Sequence, residues 1–231
     1  MQPDVLACQR KPELSQDMTP KCSTSRLNAF TLLDLFNLMV LLAVLAAIFL
    51  PALARSRRPA ARVNCVNNLK QVGLAFKCWA LDNGDHFPMS VSLTNGGTME
   101  RVPRGVVFPH FQVMSNELST PKILLCPNDS ARTAAIDFNR GLGDVRISYF
   151  LNVAAQEGTD VDASLLLAGD RNLTNQPGVG AKLLILQTNA NIGWGKDIHS
   201  YRGYLLFVDG SVNQFLNGYV VRAGTNYLAI P

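Results

Sequence analysis

The side chains best suited to nucleophilic or metal chemistry are three histidines, His86, His110 and His199, and five cysteines, Cys8, Cys22, Cys65, Cys78 and Cys126. A histidine-activated nucleophile needs a serine or cysteine within hydrogen-bond reach and a carboxylate to orient the ring. No G-x-S-x-G turn is present, and Ser200 is only a chain neighbour of His199. His199 is expected instead to brace the last hairpin by bonding backbone near Asp209. No catalytic residue is assigned, and the chain does not read as an enzyme. No cysteine pair has the C-x2-C spacing of a zinc knuckle. Asp82, Asn83 and Asp85 stand close together, as do Asp197 and Asp209, but neither set has the D-x-D-x-D-G spacing of a calcium loop. A helix stop and a hairpin turn account for both, so calcium is only a weak reading and no metal ligand is assigned.

Composition narrows the class. Of 231 residues 48% are hydrophobic and 16% charged, which excludes a disordered chain. The net charge of +4 is small, and Arg55, Arg57, Arg58 and Arg62 hold four of the basic residues beside an apolar run. Arginines in that place read as contacts to a membrane surface, and no motif supports nucleic-acid binding.

The element that must position everything else runs from Phe30 to Leu81. Residues 1–29 hold Pro3, Pro12 and Pro20, mixed charges and no apolar period, the composition of an unfolded leader. Residues 30–54 form the transmembrane segment: Leu38 to Ala54 carries no charge, and roughly 20 apolar residues cross a ~30 Å hydrocarbon core. Two rivals compete. One is a secretory signal peptide cut after Ala54, because Ala52-Leu53-Ala54 is a small-x-small pattern. The other is a helix buried in a soluble core. Pro51 should kink the helix rather than end it. After Pro59 the helix resumes, with Cys65, Leu69, Val72, Phe76 and Trp79 at i, i+4, i+7, i+11 and i+14 as one apolar stripe. Asn64, Asn67, Asn68, Gln71 and Lys77 lie opposite. Asp82-Asn83-Gly84-Asp85 should stop it.

Residues 55–231 then continue into a globular α+β domain. Residues 86–140 read as loops with one or two short helices, one near Asn116–Lys122. Leu125-Cys126-Pro127-Asn128-Asp129 reads as the end of a short buried strand, and strand-like runs follow at Val145–Leu151, Leu165–Ala168 and Leu183–Leu186. The last recognisable element is a hairpin, Tyr204–Val208 and Ser211–Phe215 around Asp209-Gly210, with a type I′ turn expected. No internal repeat is found.

Two anchored ends carry a resemblance. At the first, Ala29-Phe30 precedes the apolar run, with Asp34 five places into it and Pro51 at the twenty-second place. At the second, His199 and Asp209-Gly210 reproduce an H-x9-DG pattern. Between them lie the blocks Asn64 to Gly73, Leu125-Cys126-Pro127, Ser148-Tyr149-Phe150-Leu151-Asn152 and Gly169-Asp170-Arg171-Asn172. The chain resembles type IV pilins and type II secretion pseudopilins, most of all the prepilin-like group of planctomycetes and verrucomicrobia. The similarity covers nearly all of residues 29–215. Departures are Ala29 where the family has glycine, Asp34 where it has glutamate, and Ser200-Tyr201-Arg202 where the group is richer in glycine.

The resemblance implies a pilin-like fold, a long kinked helix laid on a small, mainly antiparallel sheet. It implies cleavage at Ala29-Phe30 by a prepilin peptidase, followed by methylation. Its further partners would be like subunits and an inner-membrane assembly platform with a cytoplasmic ATPase. Asp34 would meet the amino terminus of a neighbouring subunit, since an ionised carboxylate in lipid is costly unless paired. The alternative is a solvated residue at the membrane interface. Cys65 and Cys126 both match family blocks. In an oxidising periplasm they would close a loop of about sixty residues, worth roughly 4 kcal/mol; two buried thiols packing as apolar groups is the other reading. The arginines after the helix would by the charge rule lie in the cytoplasm. The resemblance places the amino end there and the globular domain in the periplasm or outside, and long folded domains translocate largely regardless of local charge. Two other functions are kept beside that of a filament subunit. One is a membrane-tethered binding module for polysaccharide or an exported substrate, using residues 86–140 and 187–203 with Trp194 and Tyr201. The other is a secreted hydrolase beginning at Arg55.

Overall fold

The structure, a computed structural model, describes residues 32–156, 165–174, 182–187, 189–221 and 226–231, with backbone alone for residues 51–60. Ala29 and Phe30 lie outside the described residues. The chain divides into two compact units, Met1–Leu50 and Pro51–Pro231, each taken by itself below.

Helix α1 spans Leu32–Asp82, with Asp34 in its first turn, where a carboxylate favours the positive end of the helix dipole. Its first stretch, Leu32–Leu50, is 19 residues long with a mean hydropathy of 2.5, and none of its side chains is buried. It is long and apolar enough to cross a membrane. A helix buried in a soluble core, one of the expected alternatives, does not describe this stretch. Helical backbone continues through Pro51 and Pro59, so the expected break before Pro59 is absent. The boundary between the two units falls at Pro51.

Within the second unit the expected stripe is the buried face. Cys65, Leu69, Val72 and Phe76 are fully buried and Trp79 nearly so, while Asn64, Asn67 and Gln71 stay exposed. The helix stops where expected. Gly84 takes φ +68° and Asp85 +59°, the Asp85 amide bonds the Ala80 carbonyl, and the Asn83 side chain donates to the Trp79 carbonyl at 2.7 Å.

Beneath the stripe lies a six-stranded sheet made of β1 (Tyr149–Asn152), β2 (Leu166–Asp170), β3 (Leu183–Leu186), β5 (Arg202–Phe207), β6 (Val212–Leu216) and β8 (Asn226–Ala229). The order is β3-β8-β1-β2-β5-β6 and every pairing is antiparallel. A two-stranded sheet, β4 (Asn191–Ile192) with β7 (Tyr219–Val220), stands apart. The fold is α+β. Strand alternation divides the core in two. Tyr149, Leu151, Leu167, Tyr204, Leu206 and Val208 pack with the α1 stripe. Phe150, Leu166, Leu205, Phe207 and Leu228 face the other way, with Leu173, Ile192 and Trp194. Contact with α1 is close at Gly73, where a Cβ would lie 2.8 Å from Leu206 Cδ1.

Several expectations are corrected. Residues 86–140 hold, beyond the one or two short helices expected there (α2, Phe108–Gln112, and α3, Ser115–Leu118), 3-10 turns at Pro88–Ser90, Leu93–Asn95, Met99–Arg104 and Pro121–Leu124. No strand leads into Cys126. Pro121 starts the last of these turns and Thr120 caps it by accepting from the Lys122 amide, so Leu125 and Cys126 only leave a helical turn. The run Val145–Leu151 begins as a 3-10 turn, Asp144–Arg146, and is strand from Tyr149. The hairpin turn is not type I′, because only Gly210 has positive φ (+87°). The Gly210 amide bonds the Phe207 carbonyl, and the Phe207 amide bonds the Ser211 carbonyl. That is a three-residue loop with glycine at the left-handed place. The Asp209 carboxylate accepts from the Ser211 amide at 2.7 Å, and Lys77 of α1 donates to the Asp209 carbonyl at 2.8 Å. The hairpin is not the last element, since β7 and β8 follow.

Gly203 of β5 has the tightest packing in the second core. A Cβ there would sit 2.0 Å from the indole of Trp194, which is wholly buried and cannot step aside. Gly203→Ala is therefore expected to lower stability by about 3 kcal/mol, the upper range for overpacking, read from the chemical denaturation midpoint.

Candidate functional site

Four of the blocks noted in the sequence converge on one buried cluster. Cys65, on the inward face of α1, is joined to Cys126 by a disulfide spanning 61 positions, with the two Cα atoms 5.2 Å apart. Closing a loop of that size constrains the unfolded chain by about 4 kcal/mol. Of the two readings left open for this pair, the structure holds the disulfide. Cys78 is free and exposed.

His199 lies in the turn leading into β5 and is 2% exposed. Its Nε2 is 3.4 Å from Cys126 Sγ and 3.5 Å from an Asp170 carboxyl oxygen, and its Nδ1 is 3.1 Å from the Asn128 side-chain amide nitrogen. The Tyr204 ring meets the imidazole edge-on at 4.9 Å. The expected bond from His199 to backbone near Asp209 is absent; Lys77 makes that contact. His199 braces the hairpin from its other end, through the ring of Tyr204 and the disulfide.

Asp170 ends β2 and is completely buried. One oxygen accepts from the Tyr204 amide at 2.8 Å, and the other has no hydrogen-bond partner. Burial pushes its carboxyl up to about 8, and Asp129 adds to the rise. Burial drives His199 the other way, to about 4, helped by the charge of Arg62. The pair thus shares a single proton over most of the physiological range.

The next residues extend the network. Burial works against the charged form of Asp129, but bonds from Arg171 and Ser148 outweigh it and hold its carboxyl below the ordinary range. Arg171 grips both Asp129 oxygens at 2.8 Å, and the Ser148 hydroxyl donates to one at 2.8 Å. The Asn172 amide donates to the Gly195 carbonyl, and the Gly195 amide returns a bond to Asn172, tying β2 to the His199 turn. Asn68 of α1 donates to the Leu125 carbonyl at 3.0 Å, fixing the segment that carries Cys126. Asp170 and Arg171 were legible only as members of a sequence block, and Asn128 and Asp129 only as the end of an expected strand. Their spacing along the chain gives no sign of a shared site.

Ser200 and Tyr201 sit at φ +54° and +64°, a left-handed pair that glycine adopts without strain. Of the two aromatics expected on a binding surface, Tyr201 is exposed, whereas Trp194 is fully buried in the second core and is withdrawn from that role. Asp82, Asn83 and Asp85 form the helix stop described above.

The proton count of the His199–Asp170 pair fixes a pH dependence. Unfolded, the two groups titrate near 3.8 and 6.5, whereas folded they do so near 4 and 8. From about pH 4 to 6.5 both states carry one proton, so the pair contributes no slope. Between 6.5 and 8 only the folded state keeps it, so stability falls as pH rises, by about 2 kcal/mol across the window. Asp170→Asn in the oxidised protein should abolish that decline, as measured by denaturation midpoints at pH 6 and 8.5.

No protein-family model, no curated protein and no solved structure matches this chain, so the site is read from its own geometry.

Proposed function

We propose that this chain is a pilin-like structural subunit, anchored in a bacterial inner membrane by its amino-terminal helix and drawn from it into a type II secretion or type IV pilus-type filament. The observation that carries the reading is the apolar helix Leu32–Leu50, none of whose side chains is buried among the described residues. Such a surface is stable in lipid or against copies of itself, and unstable in water. The buried network around His199 supports a structural role. It lacks an exposed nucleophile, its cysteines are joined, and its polar groups hold α1, the Cys126 segment and the sheet together. On this reading Asp34 pairs with the processed amino terminus of a neighbour, a prepilin peptidase removes the leader, and an inner-membrane platform drives assembly with the amino end cytoplasmic.

The rival that begins at Arg55 would sever α1 between residues 54 and 55, within helical backbone. A tethered module that never polymerises keeps the same helix and differs only in processing and self-association.

Mass spectrometry of the mature amino terminus separates the three. A methylated chain starting at Phe30 is expected. A start at Arg55 would mean a signal peptide, and an uncut Met1 a tether. Crosslinking from the exposed Cys78 to amines of neighbouring chains with a thiol-and-amine reagent in membranes should also give ladders of like subunits.

A further inference from the structure

Soft sulfur and imidazole donors meet in the interior around the disulfide. Cys65 Sγ, Cys126 Sγ and a ring nitrogen of His199 all lie within 4.8 Å of one another, and all three residues are buried. They come from α1, the segment after the Pro121–Leu124 turn, and the turn before β5, so the fold itself holds them together. We propose that, with the disulfide reduced, Cys65, Cys126 and His199 form a tetrahedral zinc site that Asp170 completes, making this position a redox-gated metal centre. The inference is independent of the filament reading.

The geometry is close to what zinc requires. With Zn–S near 2.3 Å and Zn–N near 2.1 Å, tetrahedral angles place sulfur about 3.6 Å from nitrogen and about 3.8 Å from the second sulfur. Cys126 Sγ is already 3.4 Å from His199 Nε2, so the changes needed are a parting of the two sulfurs and an approach of Asp170. The fourth donor lies next to the ring but outside the three-donor cluster: Asp170 Oδ2, which accepts from the Tyr204 amide, is 3.5 Å from Nε2, and Oδ1 is buried without a hydrogen bond, so the carboxyl must turn toward the metal to complete the site. An unsatisfied buried oxygen is costly, and a cation satisfies it. Outer support is present as well. Asn128 meets Nδ1 at 3.1 Å, and its amide, turned over, accepts from Nδ1–H and leaves Nε2 free to ligate. Tyr204 holds the Asp170 carboxyl through its backbone amide.

The chemistry balances as follows. A phosphine or dithiol donates two electrons to the S–S bond, which breaks to give two thiols; a phosphine takes up oxygen from water and becomes its oxide. Zinc then displaces the two thiol protons and the carboxyl proton to solvent. It takes two thiolates, the Nε2 lone pair and the carboxylate, a set that suits a soft-to-borderline d10 ion. Reoxidation of the thiolates by a disulfide or peroxide expels the metal.

The test uses the full chain in detergent. It is reduced by a phosphine in denaturant and refolded without oxygen, with cobalt(II) as the optical probe. The expected result is one cobalt per chain with the visible bands of tetrahedral cobalt and a sulfur-to-metal charge-transfer band, both bleached by zinc and both absent from the oxidised chain. His199→Gln and Asp170→Asn should each weaken zinc by at least roughly the 10–100-fold that loss of an outer partner costs. They should also shift the cobalt spectrum while leaving the oxidised protein folded. Octahedral cobalt in the reduced wild type, or thiolate bands unchanged by both substitutions, would overturn the proposal. If the reduced chain unfolds, recovery of its circular dichroism on adding zinc supports the site, and failure to recover overturns it.

Discussion

One stripe of side chains on α1 has no stable place except against the sheet. Cys65, Leu69, Val72, Phe76 and Trp79 are each buried, and burying a large apolar side chain contributes about 1.5–3 kcal/mol relative to leaving it in water. The sheet answers with the alternate residues of β1, β2 and β5. Gly73 lets helix and strand approach closely enough for Leu206 to fill the gap. The stripe also decides where Cys65 points, and hence that its disulfide reaches the Cys126 segment and draws His199 and Asp170 into one place. Were the helix rotated by one residue, packing, disulfide and polar cluster would be lost together.

The long apolar run, the stripe, the helix stop and the Asp209-Gly210 turn are written in strong local signals. A charge-free stretch, a 3.6-residue period and left-handed glycines each act over a few residues, so they survive without tertiary information. What the sequence concealed depends on distance. Tyr149-Phe150-Leu151-Asn152 is buried on both faces, so it shows no alternation and its ends could not be placed. Strand β8 is four residues long and gains its stability only by lying between β3 and β1. The Cys126 segment is apolar enough for a strand, but Pro121 and the Thr120 cap turn it into a helical turn first. Trp194 sits beside glycines and charged residues in the sequence, and only the second face of the sheet explains its burial.

The polar cluster follows the same logic. Cysteine spacing along the chain excluded a metal knuckle, and the donors lie at positions 65, 126, 170 and 199, which no local motif could connect. Each block contributes one to three members, and the register of β2 against β5 brings Asp170 to Tyr204 and so to His199. A buried acid with one unsatisfied oxygen persists here because the disulfide, the Arg171–Asp129 pair and the Asn172–Gly195 bonds over-determine its surroundings.

The chain contains two tryptophans, and the sheet keeps them apart. Trp79 reports from the helix-covered layer and Trp194 from the layer beneath, where its indole lies flat against a backbone without a side chain. Replacing either one by phenylalanine leaves a single fluorophore in a single compartment. The two hydrophobic layers can then be watched melting separately, or shown to melt as one, by light alone.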